Sequence, residues 1–166
     1  MDIRDDFLKS FNPNSKVWIF QSIDYLNESH VSFIYKKISE FIKSWNSHGK
    51  NLKGDVIILK SHFIFVIIDG DLNEASGCSI DKLFKKIKDV GENLEKDFLN
   101  RNFIGFKYNL KEKSKINFLL IQDFKKKVIN NFFSEDIVIF DNSISKLNQL
   151  QNWCLNLDRW KERYIK

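Results

Sequence analysis

Phe63-Ile64-Phe65-Val66-Ile67-Ile68-Asp69 is the stretch on which the fold turns. Six apolar residues in a row, all β-branched or aromatic, predict a strand. Both alternating sets, 63/65/67 and 64/66/68, are apolar, so the strand is expected to be buried on both faces. The run is far too short to cross a bilayer, and no membrane role is expected. Just upstream, Val56 to Leu59 forms a second short apolar run. The intervening Lys60-Ser61-His62 reads as the turn of a hairpin.

Working outward, Val17-Trp18-Ile19-Phe20-Gln21-Ser22 is a strand bounded by turn formers, with Asn12-Pro13-Asn14-Ser15 before it. Between it and the hairpin, Val31, Ile34, Ile38, Phe41, Ile42 and Trp45 recur at helical steps. They predict an amphipathic helix over 28–46, with Asn27 as N-cap and Gly49 as terminator. Beyond the hairpin, Ile80, Leu83, Phe84, Ile87, Val90, Leu94 and Phe98 trace a second helix. Strands at 103–108 and 116–121, a short helix over 123–130 and a strand at 137–140 follow. The segment 145–166 carries Trp153, Trp160 and Tyr164 on a mixed helical and irregular background.

The order through Tyr108 is β-α-β-β-α-β, which predicts an α+β protein with a ferredoxin-like core, extended by C-terminal strands and short helices. The length of 166 residues fits one domain: a leader over 1–16, a core over 17–140, and an aromatic segment over 141–166 that packs on it. The acidic Met1-Asp2-Ile3-Arg4-Asp5-Asp6 start lacks the basic and apolar parts of a secretory signal, which points to the cytoplasm. Cys78 and Cys154, far apart and outside any C-x-x-C pair, are expected to be reduced thiols.

The net charge of +5 comes almost wholly from lysine, since Arg4, Arg101, Arg159 and Arg163 are the only arginines. Lys, Asn, Ile and Phe are abundant while Gly and Pro are scarce, the pattern of an A- and T-rich coding bias. The basicity is therefore weak ground for a nucleic-acid partner, and the longest lysine run, Lys125-Lys126-Lys127, is too short for a basic arm. An RRM-like RNA-binding module is a further alternative reading, with the consensus against it. Trp18, Phe63 and Phe65 occupy base-stacking positions, yet Ser61, His62 and Ile64 replace the basic and small residues that such a strand needs.

Nucleotide hydrolysis is excluded on similar grounds. A strand ending in Asp69 resembles the Mg²⁺-holding half of an ATPase site. The glycine-rich phosphate cradle is missing: the sole Gly-Lys pair, Gly49-Lys50, has Ser44 in place of the first glycine and Asn51 after the lysine. Asp69-Gly70-Asp71 with Asp81 reads as a solvated turn rather than a cation site, and His30 and His62 lack ligand spacing. Neither a metal nor another cofactor is expected.

Ser76-Gly77-Cys78-Ser79-Ile80-Asp81 is the segment that most invites chemistry. It opens the second helix, where unpaired N–H groups and the helix dipole favour an anion and activate a thiol. Asp81 opposes that activation, and His48, placed after the first helix, is the natural base partner by chain position. Two readings follow: a pocket that binds a small anion or a partner near Cys78, His48 and Asp81, or a thiol enzyme using Cys78 with His48. A buried small thiol is the plain alternative.

Several blocks together resemble a small bacterial family that usually carries the label "ABC transporter ATPase". They are residues 17–22, 45–53 and 75–81, then Val138-Ile139-Phe140-Asp141-Asn142, Trp153, and Trp160-Lys161-Glu162-Arg163-Tyr164. Trp160-Lys161 stands where the family carries Trp-His. The resemblance implies no mechanism, and its label implies ATP hydrolysis that the missing cradle contradicts. The ligand-binding candidates are Ser76, Gly77, Cys78 and Ser79, with Trp45 and Asn142 from the matching blocks; a protein partner or a homodimer is compatible with them.

Overall fold

A computed structural model describes residues 10–47, 50–51, 53–69, 77–109, 115–133 and 136–165. The chain is mixed α+β, with its contacts gathered into two compact units. One comprises residues 1–99 and 144–150, the other 100–143 and 151–166. Of the aromatic C-terminal segment, Leu155, Leu157 and Trp160 join the core of the second unit, while residues 144–150 belong to the first.

In the first unit, β1 (Lys16–Gln21), β4 (Gly54–Leu59) and β5 (Phe63–Ile68) form an antiparallel sheet in the order β1-β5-β4. β5 is central, and all six of its residues are buried, as its double apolar alternation requires. Ile64, Val66 and Ile68 join Phe20 and Val56 beneath two helices. These are α1 (Glu28–Ser44), presenting Ile34, Ile38 and Ile42, and α2 (Gly77–Asn93), presenting Leu83, Ile87 and Val90. Asn27 caps α1, its side chain accepting from the His30 N–H at 2.9 Å. α1 stops two residues before the expected end, because Trp45 turns extended. A two-stranded ribbon, β2 (Asn46–Ser47) with β3 (Lys50–Asn51), follows.

Gly54 and Gly91 are needed for close approach. A Cβ on Gly54 would sit 2.6 Å from the Ile67 carbonyl, and one on Gly91 would sit 2.5 Å from the Lys96 carbonyl. The hairpin turn forms as expected, with Lys60 and Ser61 both left-handed at φ 52° and 54°.

The strand order β1-β5-β4 is that of three strands in a ferredoxin-like sheet, but the expected fourth, Phe103–Tyr108, is not in it. The outer edge of β1 is instead held by a returning segment: the Val17 N–H donates to the Ser145 carbonyl and the Leu147 N–H to the Ser15 carbonyl, both at 2.9 Å. With that edge occupied, Phe103–Tyr108 pairs with strands that follow it in the chain, which costs less loop-closure entropy.

That strand is β6 of the second unit, in an antiparallel sheet of order β7-β6-β8-β9 with β7 (Asn117–Leu120), β8 (Ile137–Phe140) and β9 (Cys154–Leu155). α3 (Ile121–Ile129) follows β7 without a loop, and α4 (Leu157–Tyr164) closes the described chain. The core of this unit is aromatic. Phe124 packs on Trp160 edge-to-face at 4.9 Å between ring centroids, and on Phe106 and Phe133 at 5.3 and 4.9 Å.

Candidate functional site

Cys78 and Asp81 both lie in the opening turns of α2, and both are exposed. Ser79 between them is buried, and its carbonyl accepts the Trp45 indole N–H at 3.0 Å. The bond explains why α1 ends where it does: Trp45 leaves the helix to tie its C-terminus to the start of α2. Trp45, 2% exposed, is thereby a structural anchor rather than a ligand-facing ring. Gly77 is exposed with open space around it. His48 and Ser76 lie outside the described residues, as do Gly70 and Asp71. Among the described residues no three His, Cys, Asp or Glu side chains gather as a metal site.

Asp69 is buried at the end of β5, its N–H donating to the Lys53 carbonyl at 2.9 Å and its carboxylate 3.5 Å from Lys53 Nζ. This carboxylate is held by a local ion pair. Phe63 and Phe65 are 0% exposed, so neither presents a face to a base. Trp18 lies against Trp45, with ring centroids 6.1 Å apart.

Asn142, the remaining candidate, sits in the second unit next to a polar cluster whose members, Ser143 apart, fall in the blocks 138–142, Trp153 and 160–164. Asp141 is buried. Its Oδ2 accepts from Arg163 Nη1, and its Oδ1 accepts from the Tyr164 hydroxyl at 2.9 Å and the Ser143 N–H at 3.0 Å. The Ser143 and Tyr164 hydroxyls are 2.9 Å apart, and the Asp141 N–H donates to the Trp153 carbonyl. Asn142 Oδ1 accepts the Trp153 indole N–H at 3.2 Å. Burial raises the Tyr164 phenol above its ordinary range, and the adjacent Asp141 charge adds to the rise. Burial alone would lower Arg163, but its hydrogen bond and attraction to Asp141 win and raise it. A buried carboxylate holding three hydrogen bonds, one of them to a guanidinium, stabilises structure.

A third place has the opposite character. Along the outer edge of β4 runs a groove of about 760 Å³, walled on the other side by the first half of α1 and the turn before it. Every residue from Asp55 to Ser61 lines it, faced by Tyr25, Glu28, Val31 and Tyr35. Tyr25 and Tyr35 are 67% and 50% exposed, unusually bare for aromatic residues. Glu28 has no ion-pair partner among the described residues, whereas the Asp55 carboxylate turns back onto the Val56 N–H at 2.7 Å. The sequence offered little hint of this surface: Tyr35, four residues after Val31 and three before Ile38, keeps step with the apolar stripe of α1, yet it is half exposed.

The chain matches no protein-family model, no curated protein and no solved structure.

Proposed function

We propose that the protein is an accessory binding module of the cytoplasm whose recognition surface is the groove between α1 and β4. The observation that carries this reading is the groove itself: an open cleft whose lining includes Val31, Val56 and Ile57, flanked by two exposed tyrosines. Rigid aromatic side chains that stay exposed supply binding area at little entropic cost. The two free thiols fit a reducing compartment. No helix among the described residues is long and apolar enough to cross a membrane.

The neutral dye Nile red tests the groove. Its emission should rise with the folded protein, and the Tyr25→Ala, Tyr35→Ala double variant should abolish most of that rise with its circular dichroism unchanged. Full enhancement in the double variant would remove the groove from consideration.

One observation favours a second reading, a thiol-dependent enzyme: Cys78 is exposed in the first turn of α2. Such an enzyme would alkylate with iodoacetamide at pH 7 at least ~10-fold faster than the urea-unfolded chain, and His48→Ala would remove the advantage. We expect neither, because a binding module needs no activated thiol.

A further inference from the structure

The geometry points to an extended, basic segment of a partner polypeptide as the occupant of the groove, added as a new strand on the free edge of β4. This rests on the groove being the recognition surface.

Among the described residues β4 is an edge strand, paired with β5 alone. Its register, Asp55↔Ile67 and Ile57↔Phe65, and the Asp69 N–H bond to the Lys53 carbonyl turn the main chain of odd-numbered positions toward β5. By alternation, the N–H and C=O groups of Gly54, Val56 and Ile58 face outward. An outward row of main-chain donors and acceptors beside an open cleft is the template that extended peptides add to. Because all of 55–61 lines the cleft, an occupant meets this main chain along the whole strand.

The preference for a basic segment comes from charge. Glu28 and Asp55 line the groove, against Lys60 alone. Asp55 sets the selectivity. Its carboxylate occupies the Val56 N–H, one of the donors that an incoming strand requires. A neutral or acidic strand has to compete with that charge-assisted bond. A lysine offers the carboxylate another partner and releases the N–H to the strand. The bond thus works as a latch that a cation opens, and the tyrosine faces add cation–π attraction.

The test uses two blocked hexapeptides, one alternating lysine and valine and one alternating threonine and valine. Titration should give at least ~10-fold tighter binding of the lysine peptide, with the Ile58 amide newly protected from hydrogen exchange. Asp55→Ala should bring the two affinities together, and Glu28→Lys, on an exposed site, should weaken the lysine peptide alone. Equal binding of a lysine peptide N-methylated at alternate positions would overturn strand addition. So would protection of Ile58 without peptide in step with a concentration-dependent mass increase, because a second copy would then cover the edge. Failure of both peptides while Nile red still binds would end this inference and leave the groove standing. Failure of the dye as well would end both.

Discussion

The Asp141 cluster and the β4 groove show what polar groups in a folded chain reveal about their purpose. At Asp141, one carboxylate meets a guanidinium, a phenol and a main-chain N–H within a few ångströms. Along β4, an acidic side chain with no ion pair among the described residues, two exposed tyrosines and an outward strand edge share an open cleft. Both are rich in polar and aromatic groups, yet at Asp141 these groups bond to one another, while along β4 they face an open cleft. Saturation marks a device of folding, and unspent capacity marks a surface kept for something else.

The sharpest way to break this contrast is to delete each centre and measure stability. Asp141→Ala strips the buried partner from Arg163, Tyr164 and the Ser143 N–H together. Loss of one member of a buried charged pair costs about 3–5 kcal/mol, and Arg163 reaches solvent, so about 3 kcal/mol is expected. Urea unfolding should show it as a drop in the midpoint, while peptide and dye binding to the folded protein persist. A change under about 0.5 kcal/mol would place Asp141 outside the stabilising framework and reopen it as a functional carboxylate.

How much of this could be read beforehand depends on the distance along the chain between partners. The β5 run, the Asn27 cap and the turn at Lys60-Ser61-His62 depend on neighbouring residues, and each formed where the pattern placed it. The sheet assigned to Phe103–Tyr108 did not, because the pairing choice was decided by Ser145 and Leu147 occupying the edge of β1. Apolar alternation gives a strand's faces, not its partner. Asp141 reaches residues 22 and 23 positions away, and Trp45 reaches Ser79 across 34, separations that leave no periodic trace. The Cys78 segment was located as the opening of a helix, but nothing in residue order said that Trp45 would be spent on anchoring it. The groove was least legible, being made by the juxtaposition of a helix face and a strand edge.

A middle-sized effect sharpens the picture of the saturated cluster through pH. Tyr164 keeps its proton longer in the folded chain than an ordinary phenol does, through burial first and the Asp141 carboxylate second. Above about pH 10, where an unfolded tyrosine starts to ionise, the unfolded chain binds fewer protons than the folded one, so stability falls as pH rises. Below that value the contribution is fully present. Tyr164→Phe should cost some stability at pH 8 and then lose less than the parent between pH 9.5 and 11. Parallel urea-midpoint curves for the two proteins over that range would show that the phenol is not held by its neighbours.

The smallest effect on stability belongs to the groove, and it is the one that gives the comparison its meaning. Glu28 has no ion-pair partner among the described residues and only its favourable place in the first turn of α1 to lose, and Tyr35 is half exposed, so Glu28→Ala and Tyr35→Ala should each shift unfolding by no more than about 1 kcal/mol. Their mark should appear in binding alone, as weaker uptake of the lysine peptide. A protein that tolerates the loss of these side chains in folding but not in recognition is not keeping them for its core. Should Tyr35→Ala instead destabilise the chain by about 2 kcal/mol with binding untouched, the ring would be a packing element. The groove would then join the Asp141 cluster as architecture, and the distinction between spent and unspent groups would lose its only functional instance in this chain.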